Sequence, residues 1–224
     1  MTHLLVLPSP FLGPAAYALL VDALRAGGHD ASVATYAEPP AAAALVDAWS
    51  SAAAGLDEVV LVPHSNAGHL APLVSDRCGG LPVVFMDAAL PAPSGTSPLV
   101  PAGLRSHLAD LADRDGMLPR WTRWWPRDDL EDVLPGDWFD RIDVLAPQVP
   151  LDYVDAAVDV PDGWEDGHCA YLAFGAETYA EELARVRQLG WPHQVVAGRH
   201  LHCVVAPGET ATELRALSEE LRGR

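Results

Sequence analysis

Lysine is absent from this chain: all 14 basic residues are arginine. Schiff-base chemistry on a lysine amine and a lysine-bearing phosphate loop are therefore excluded. Cysteine is scarce. Cys78, Cys169 and Cys203 are odd in number, lie far apart and form no CxxC pair, which argues against a disulfide framework or a zinc site. No metal and no cofactor is expected, and the cysteine usage fits a reducing cytoplasm. Positive charge is also short, since 14 basic against 31 acidic residues leave a formal net charge of −17. A nucleic-acid partner needs a basic footprint, and an anionic membrane or an acidic carrier protein would be repelled. No run approaches the roughly 18 apolar residues of a membrane span. Residues 1–7, Met-Thr-His followed by four apolar residues, have neither a charged leader region nor a long apolar one. They read as a first strand rather than a signal peptide. Asparagine occurs once, at position 66.

Half of the 224 residues are hydrophobic, enough to bury one sizeable core. Short apolar runs at residues 4–7, 59–62 and 83–86 read as buried strands, and residues 30–36 alternate as a further strand. Helical stretches separate them. One covers residues 15–26, with Pro14 in its first turn and Gly27-Gly28 closing it; others cover 41–54 and 66–78. From about residue 91 to 167 the rhythm breaks into prolines and turn signals. It resumes with a strand at 169–174, a helix at 180–189, a strand at 193–196 and a closing helix at 209–221. Alternating strands and helices predict an α/β protein, a three-layer α/β/α sandwich on a mostly parallel six-stranded sheet. The chain reads as a single domain, with core 1–90 and 168–224 and a lid of about 91–167 inserted after the fourth strand.

The most informative stretch is Val59-Val60-Leu61-Val62-Pro63-His64-Ser65-Asn66-Ala67-Gly68-His69-Leu70. A buried strand ends, a serine stands at the turn, small residues follow and a helix begins. That is the layout of a nucleophile elbow, in which a sharp turn pushes the serine out at the strand end. Here the sequence resembles the α/β-hydrolase superfamily. Pro63-His64-Ser65-Asn66-Ala67-Gly68 is similar to that family's Gly-His-Ser-x-Gly-Gly, with Pro63 and Ala67 where glycines are usual. The resemblance implies the fold above, Ser65 as nucleophile and the Asn66 N–H as an oxyanion donor. His64 is expected to point to the opposite face of its strand.

The resemblance also implies a base near the C-terminus. Gly198-Arg199-His200-Leu201 is similar to the family's glycine-histidine-hydrophobic pattern, so His200 is expected to be the base, with His202 in reserve. Two acids compete. Asp87 ends the fourth strand, where thioesterase domains of polyketide and peptide synthases carry theirs; Glu177 follows the next strand, the commoner place. Asp87 is favoured and Glu177 is the alternative.

The second oxyanion donor should come from Pro8-Ser9-Pro10-Phe11-Leu12, where the family usually has His-Gly-x. Pro10 has no N–H to give, so Phe11 or a neighbour must supply it. Leu12, Trp121, Trp124 and Trp125 are expected to line an apolar substrate pocket. Arg105, Arg114, Arg120, Arg123 and Arg127 interleave with aspartates and read as a self-neutralising face. The expected function is a serine hydrolase acting on an ester or thioester of a small, partly apolar molecule through Ser65, His200 and Asp87. A non-hydrolytic lyase or cyclase on the same scaffold is the alternative, and a non-catalytic small-ligand binding module the second. The expected partner is a free small molecule, and the protein is a monomer or a homodimer.

Overall fold

The computed structural model describes residues 2–223. Its first half is built from β1 (His3–Leu7), α1 (Ala18–Ala26), β2 (Asp30–Val33), α2 (Ala42–Ala54), β3 (Val59–Ser65), α3 (Ala71–Arg77) and β4 (Val83–Ala88). An insertion follows, with β5 (Gly95–Pro98), α4 (Ala102–Leu111), α5 (Trp138–Leu145), α6 (Leu151–Val154) and β6 (Ala157–Val160). The chain closes with β7 (Cys169–Phe174), α7 (Ala180–Leu189), β8 (His193–Val196), α8 (His202–Val205) and α9 (Pro207–Arg222).

Six strands form one sheet in the order β2-β1-β3-β4-β7-β8, and every pair is parallel. The inner strands are apolar runs because a parallel sheet is covered on both faces. Every residue of β3, β4 and β7 is buried. Helices α1 and α9 pack on each other against one face, and α2 and α3 pack together elsewhere on the sheet. Strand order reverses between β1, which leads out to β2, and β3, which leads the other way. Crevices outside the carboxyl ends of strands at such a reversal are the usual binding places in open α/β sheets.

Three local expectations needed correction. The second strand stops at Val33, not at residue 36, because its partner β1 ends where Pro8 removes the next donor. The helix expected over 66–78 is broken into a 3-10 turn, Asn66–His69, and then α3. Pro72 sits in the first turn of α3 and suits a fresh helix start there. The insertion is not strandless either, for β5 and β6 form a two-stranded antiparallel sheet from Gly95↔Val160 to Pro98↔Ala157. Their sequences, Gly-Thr-Ser-Pro and Ala-Val-Asp-Val, are too short to show a period.

The turn after β3 sets a tight steric condition. A Cβ on Gly68 would lie 2.0 Å from the Ala89 carbonyl oxygen and 3.1 Å from the Ala88 Cβ. Backbone that close to β4 cannot give way without moving the strand end. Gly68→Ala is therefore expected to destabilise the fold by at least about 2 kcal/mol, roughly 4 °C or more in a chain of this size. Thermal or urea unfolding checks this, and a variant as stable as the parent would show that the approach is looser than described.

Candidate active site

Ser65 closes β3 with φ 57° and ψ −128°, a left-handed conformation that L-residues avoid. Holding a non-glycine residue there costs about 1–3 kcal/mol, so the surroundings must enforce it. They do so from β4, where the Ala89 N–H donates to the Ser65 carbonyl at 3.1 Å. Pro63, unusual at its position, lies opposite Leu7 at the last paired position of β1 and β3, so its missing donor falls at the end of that ladder.

Asp87 stands at the neighbouring strand end, also with positive φ (40°), and is 1 % exposed. Its Oδ1 accepts the Phe174 N–H of β7 at 2.9 Å, and its Oδ2 accepts His200 Nδ1–H at 2.7 Å. His200 comes from the loop between β8 and α8. With its proton on Nδ1, its Nε2 accepts the Ser65 hydroxyl at 3.0 Å. Three residues from positions 65, 87 and 200 thus form one hydrogen-bonded line. Glu177, the alternative acid, lies elsewhere: it is exposed and pairs with Arg199 at 2.7 Å. His202, in reserve as base, pairs instead with Glu209 at 2.9 Å.

Asn66 follows Ser65 directly, and its side chain ties down the insertion. Its Nδ2 donates to the Leu99 carbonyl and its Oδ1 accepts the Tyr153 hydroxyl, both at 2.5 Å. In the loop after β1, the Leu12 and Gly13 amides both donate to the Ser9 carbonyl at 3.0 Å. The Phe11 amide makes only a long contact, 3.4 Å, to Ser9 Oγ. Phe11 is therefore the least committed donor of that loop. Leu12 does not face substrate space: it is 1 % exposed, packs in the core, and is not part of the cavity wall.

A cavity of about 480 Å³ opens over Ser65 and His200. Phe11, Leu90, Leu99, Val100, Leu104, Trp121, Trp124 and Trp125 give it an apolar wall. Trp124 meets Phe11 edge-on at 4.8 Å and Trp125 at 5.6 Å. Among the described residues no arginine lines it, and Glu182 is the one formally charged side chain. Three of the insertion's arginines pair with aspartates, Arg105 with Asp155, Arg123 with Asp143 and Arg127 with Asp140. A groove of about 610 Å³ beside α1 and α5 is larger but contains none of Ser65, Asp87 or His200.

Several residues at the site were not anticipated. The Tyr179 hydroxyl lies 3.5 Å from Ser65 Oγ, and burial keeps that phenol protonated. Its only sequence signal is its place two residues after Glu177. His69, one turn beyond Ser65, also lines the cavity, and burial pushes its pKa down to about 4. Burial raises the Glu182 carboxyl, with Glu181 adding to it. His64 does not point away from the site. Its ring stacks on that of His200 at 4.9 Å, because the turn at Ser65 ends the strand's alternation. Burial first, and the His200 ring second, hold the His64 pKa well below its ordinary value.

No protein-family model matches the chain, and no curated protein matches it by sequence. Solved structures do resemble it. An extracellular α/β-hydrolase of a Paenibacillus species, described as sharing structural and functional homology with tobacco salicylic acid binding protein 2, superposes with TM-score 0.76 at 17 % identity, over 97 % of this chain and 98 % of that one. Tomato methylketone synthase I in complex with 2-tridecanone gives TM-score 0.70 at 14 % identity, over 98 % of both chains. A pyrethroid hydrolase from Sphingobium faniae gives 0.62 at 16 % identity, over 98 % and 97 %. The chain has the α/β-hydrolase fold. Among the described residues, no helix is long and apolar enough to cross a membrane.

Two neutral buried histidines make the fold sensitive to acid. His64 and His69 bind protons more readily when unfolded, near pH 6.5, than when folded. Between the folded and unfolded pKa values the unfolded state carries more protons, so stability rises with pH and is fully present above about 6.5. Stability is expected to fall as pH drops from 6.5 towards 4, at about 1.4 kcal/mol per pH unit from His69, with His64 acting in the same direction. Urea unfolding across that range measures the slope, and His69→Phe should reduce it; an unchanged slope in the variant would remove His69 as a cause.

Proposed function

We propose that this protein is a serine hydrolase acting on an uncharged ester or thioester of a small, partly apolar molecule. The observation that carries the reading is the unbroken hydrogen-bonded line from Ser65 through His200 to Asp87 at the floor of an apolar cavity.

The Ser65 oxygen attacks the substrate carbonyl as its proton passes to His200 Nε2. Asp87, buried and bonded to Nδ1–H, holds the tautomer and stabilises the imidazolium without taking the proton. The negative charge that develops on the carbonyl oxygen is met by the Asn66 and Phe11 N–H groups. Collapse of the tetrahedral intermediate breaks the bond to the leaving alcohol or thiol, which receives the proton from His200. Water then attacks the acyl-enzyme with His200 again as base, releasing the acid and restoring Ser65. A neutral substrate fits the cavity because, among the described residues, no arginine stands there to balance a carboxylate or phosphate, and Glu182 would repel one. Three unpaired cysteines fit work in a reducing compartment.

The loop after β1 favours a second reading. With Pro10 lacking a donor and Leu12 committed to Ser9, only one weakly engaged amide remains there. A scaffold with a modest oxyanion site suits proton transfer without an acyl-enzyme, and one of the similar structures is a synthase by name. In that reading Ser65 and His200 bind and move protons in a lyase or cyclase reaction.

A fluorophosphonate probe distinguishes the two. A single adduct on Ser65, absent in Ser65→Ala and slowed about 10³-fold or more in His200→Ala, is expected of the hydrolase. Asp87→Asn should slow labelling by about 10³–10⁴-fold, and Glu177→Gln should leave it within about 2-fold. No adduct on folded protein, or turnover that survives Ser65→Ala, would favour the non-hydrolytic enzyme. Among chromogenic esters, an acetyl ester should be cleaved with higher kcat/KM than a succinyl half-ester of the same alcohol. The reverse preference would rule out the uncharged-substrate assignment.

A further inference from the structure

Beneath Ser65 runs a second hydrogen-bonded line that the proposed mechanism does not use. The Ser9 N–H donates to the Tyr17 hydroxyl oxygen at 3.0 Å. That hydroxyl meets His64 Nδ1 at 2.7 Å, and His64 Nε2 meets the His200 carbonyl oxygen at 3.1 Å. A carbonyl can only accept, so His64 Nε2 carries the ring proton. Its Nδ1 is then a lone-pair acceptor, and Tyr17 must donate its hydroxyl proton to it. Every direction in the line is thereby determined. Ser9, Tyr17 and His64 are all buried, at 1 %, 0 % and 0 % exposure. Water does not compete for these bonds.

The two ends of the line matter. At one end, Ser9 shapes the loop that presents the Phe11 amide, both through its own hydroxyl and through its carbonyl, which receives Leu12 and Gly13. At the other end stands the backbone of His200, on a loop between β8 and α8 rather than in a regular element. Asp87 restrains the His200 ring at Nδ1 only. His64 restrains the carbonyl and, stacked at 4.9 Å and 22°, the plane of the ring. One buried bridge thus spans both flanks of Ser65.

We propose that Tyr17 and His64 are positioning residues that hold the Phe11 oxyanion loop and the His200 base in register across Ser65. The proposal rests on the serine-hydrolase reading for its kinetic consequence but on geometry alone for the bridge itself. It assigns His64 neither proton transfer nor substrate contact. Loss of the bridge leaves the Ser65 side chain in place and lets its two helpers drift. The chemical step slows and binding in the cavity above does not change, since sub-ångström to ångström misplacement of a reacting group is felt mainly in rate.

The test uses the full chain, three single variants and one double variant. His64→Leu removes both bonds, His64→Gln keeps an N–H donor near the His200 carbonyl, and Tyr17→Phe removes the donor to Nδ1. For labelling of Ser65 by a fluorophosphonate, the maximal rate should fall about 10- to 100-fold in His64→Leu with the half-saturating probe concentration unchanged. His64→Gln should recover most of that loss. Tyr17→Phe should slow labelling less, and adding it to His64→Leu should cost nothing further, because both act through one line. Full-rate labelling in folded His64→Leu, a glutamine variant no better than leucine, or additive losses would overturn the proposal. Imidazole nitrogen NMR at pH 7 decides the bridge even if no probe reacts. Expected are a protonated Nε2 and bare Nδ1 on His64, and His200 signals that move in Tyr17→Phe. An Nδ1–H tautomer on His64, or His200 signals that stay in place, would refute it. Absence of labelling in the parent protein with the expected tautomer would instead count against the serine nucleophile and leave the bridge standing.

Discussion

Two adjacent strand ends carry the constraint on which the site depends. β3 ends at Ser65 and Asp87 stands one residue before the end of β4, and both residues take left-handed backbone conformations that their side chains disfavour. Neither conformation would persist in isolation. They hold because the ends are tied to each other, with Ala89 N–H on the Ser65 carbonyl and Gly68 laid against the Ala89 carbonyl with no room for a Cβ. The strain aims two side chains upward from neighbouring strands, at a spacing one imidazole can bridge. His200 then needs only to arrive from the β8 loop and meet a carboxylate already fixed to β7 through the Phe174 amide.

The insertion is tied to this arrangement at Asn66. Asn66 follows Ser65 and is the only asparagine in the chain. Its amide serves two insertion segments at once, the backbone beyond β5 and the Tyr153 hydroxyl on α6. Only an amide side chain of this length offers a donor and an acceptor together at that position. The aromatic wall is continuous with it, since Phe11 packs edge-on against both Trp124 and Tyr153. The tryptophans therefore serve two ends: they give a segment with few strands its own packed interior, and they face the space above Ser65. Arg105, Arg123, Arg127 and Arg141 of the insertion pair with aspartates away from the cavity, which no arginine lines among the described residues.

Much of the core was legible because its physics is local. Val59 to Val62 and Val83 to Met86 are apolar on both faces, as central parallel strands must be, and small residues after Ser65 announce a turn. The histidine at 200 was distinguishable from that at 202 by its following leucine. Other features had no local signature. β5 and β6 find each other across more than fifty residues, so neither segment shows a pattern alone. Leu12 looked like a pocket residue from its place in the loop, yet turning of the Ser9 loop onto its own carbonyl buries it. His64 read as a strand residue facing away, but the positive φ at Ser65 ends the alternation one residue later and leaves its ring beneath His200.

Composition and order of residues by themselves determined the parallel α/β layering, the place of the sharp turn at Ser65, and the lack of lysine and of any CxxC pair. These follow from periodicity and side-chain inventory, which are properties of neighbours along the chain. The tertiary structure alone decided which acid meets His200, which amide after β1 remains uncommitted, and which side chains turn into the cavity. Each of those is a contact between residues far apart in sequence, and its distance is set by sheet register and strand-end geometry. On paper Asp87 is favoured, but Glu177 stands as the alternative. Only the pairing of β4 with β7, and the exposed arginine that captures Glu177, separate them.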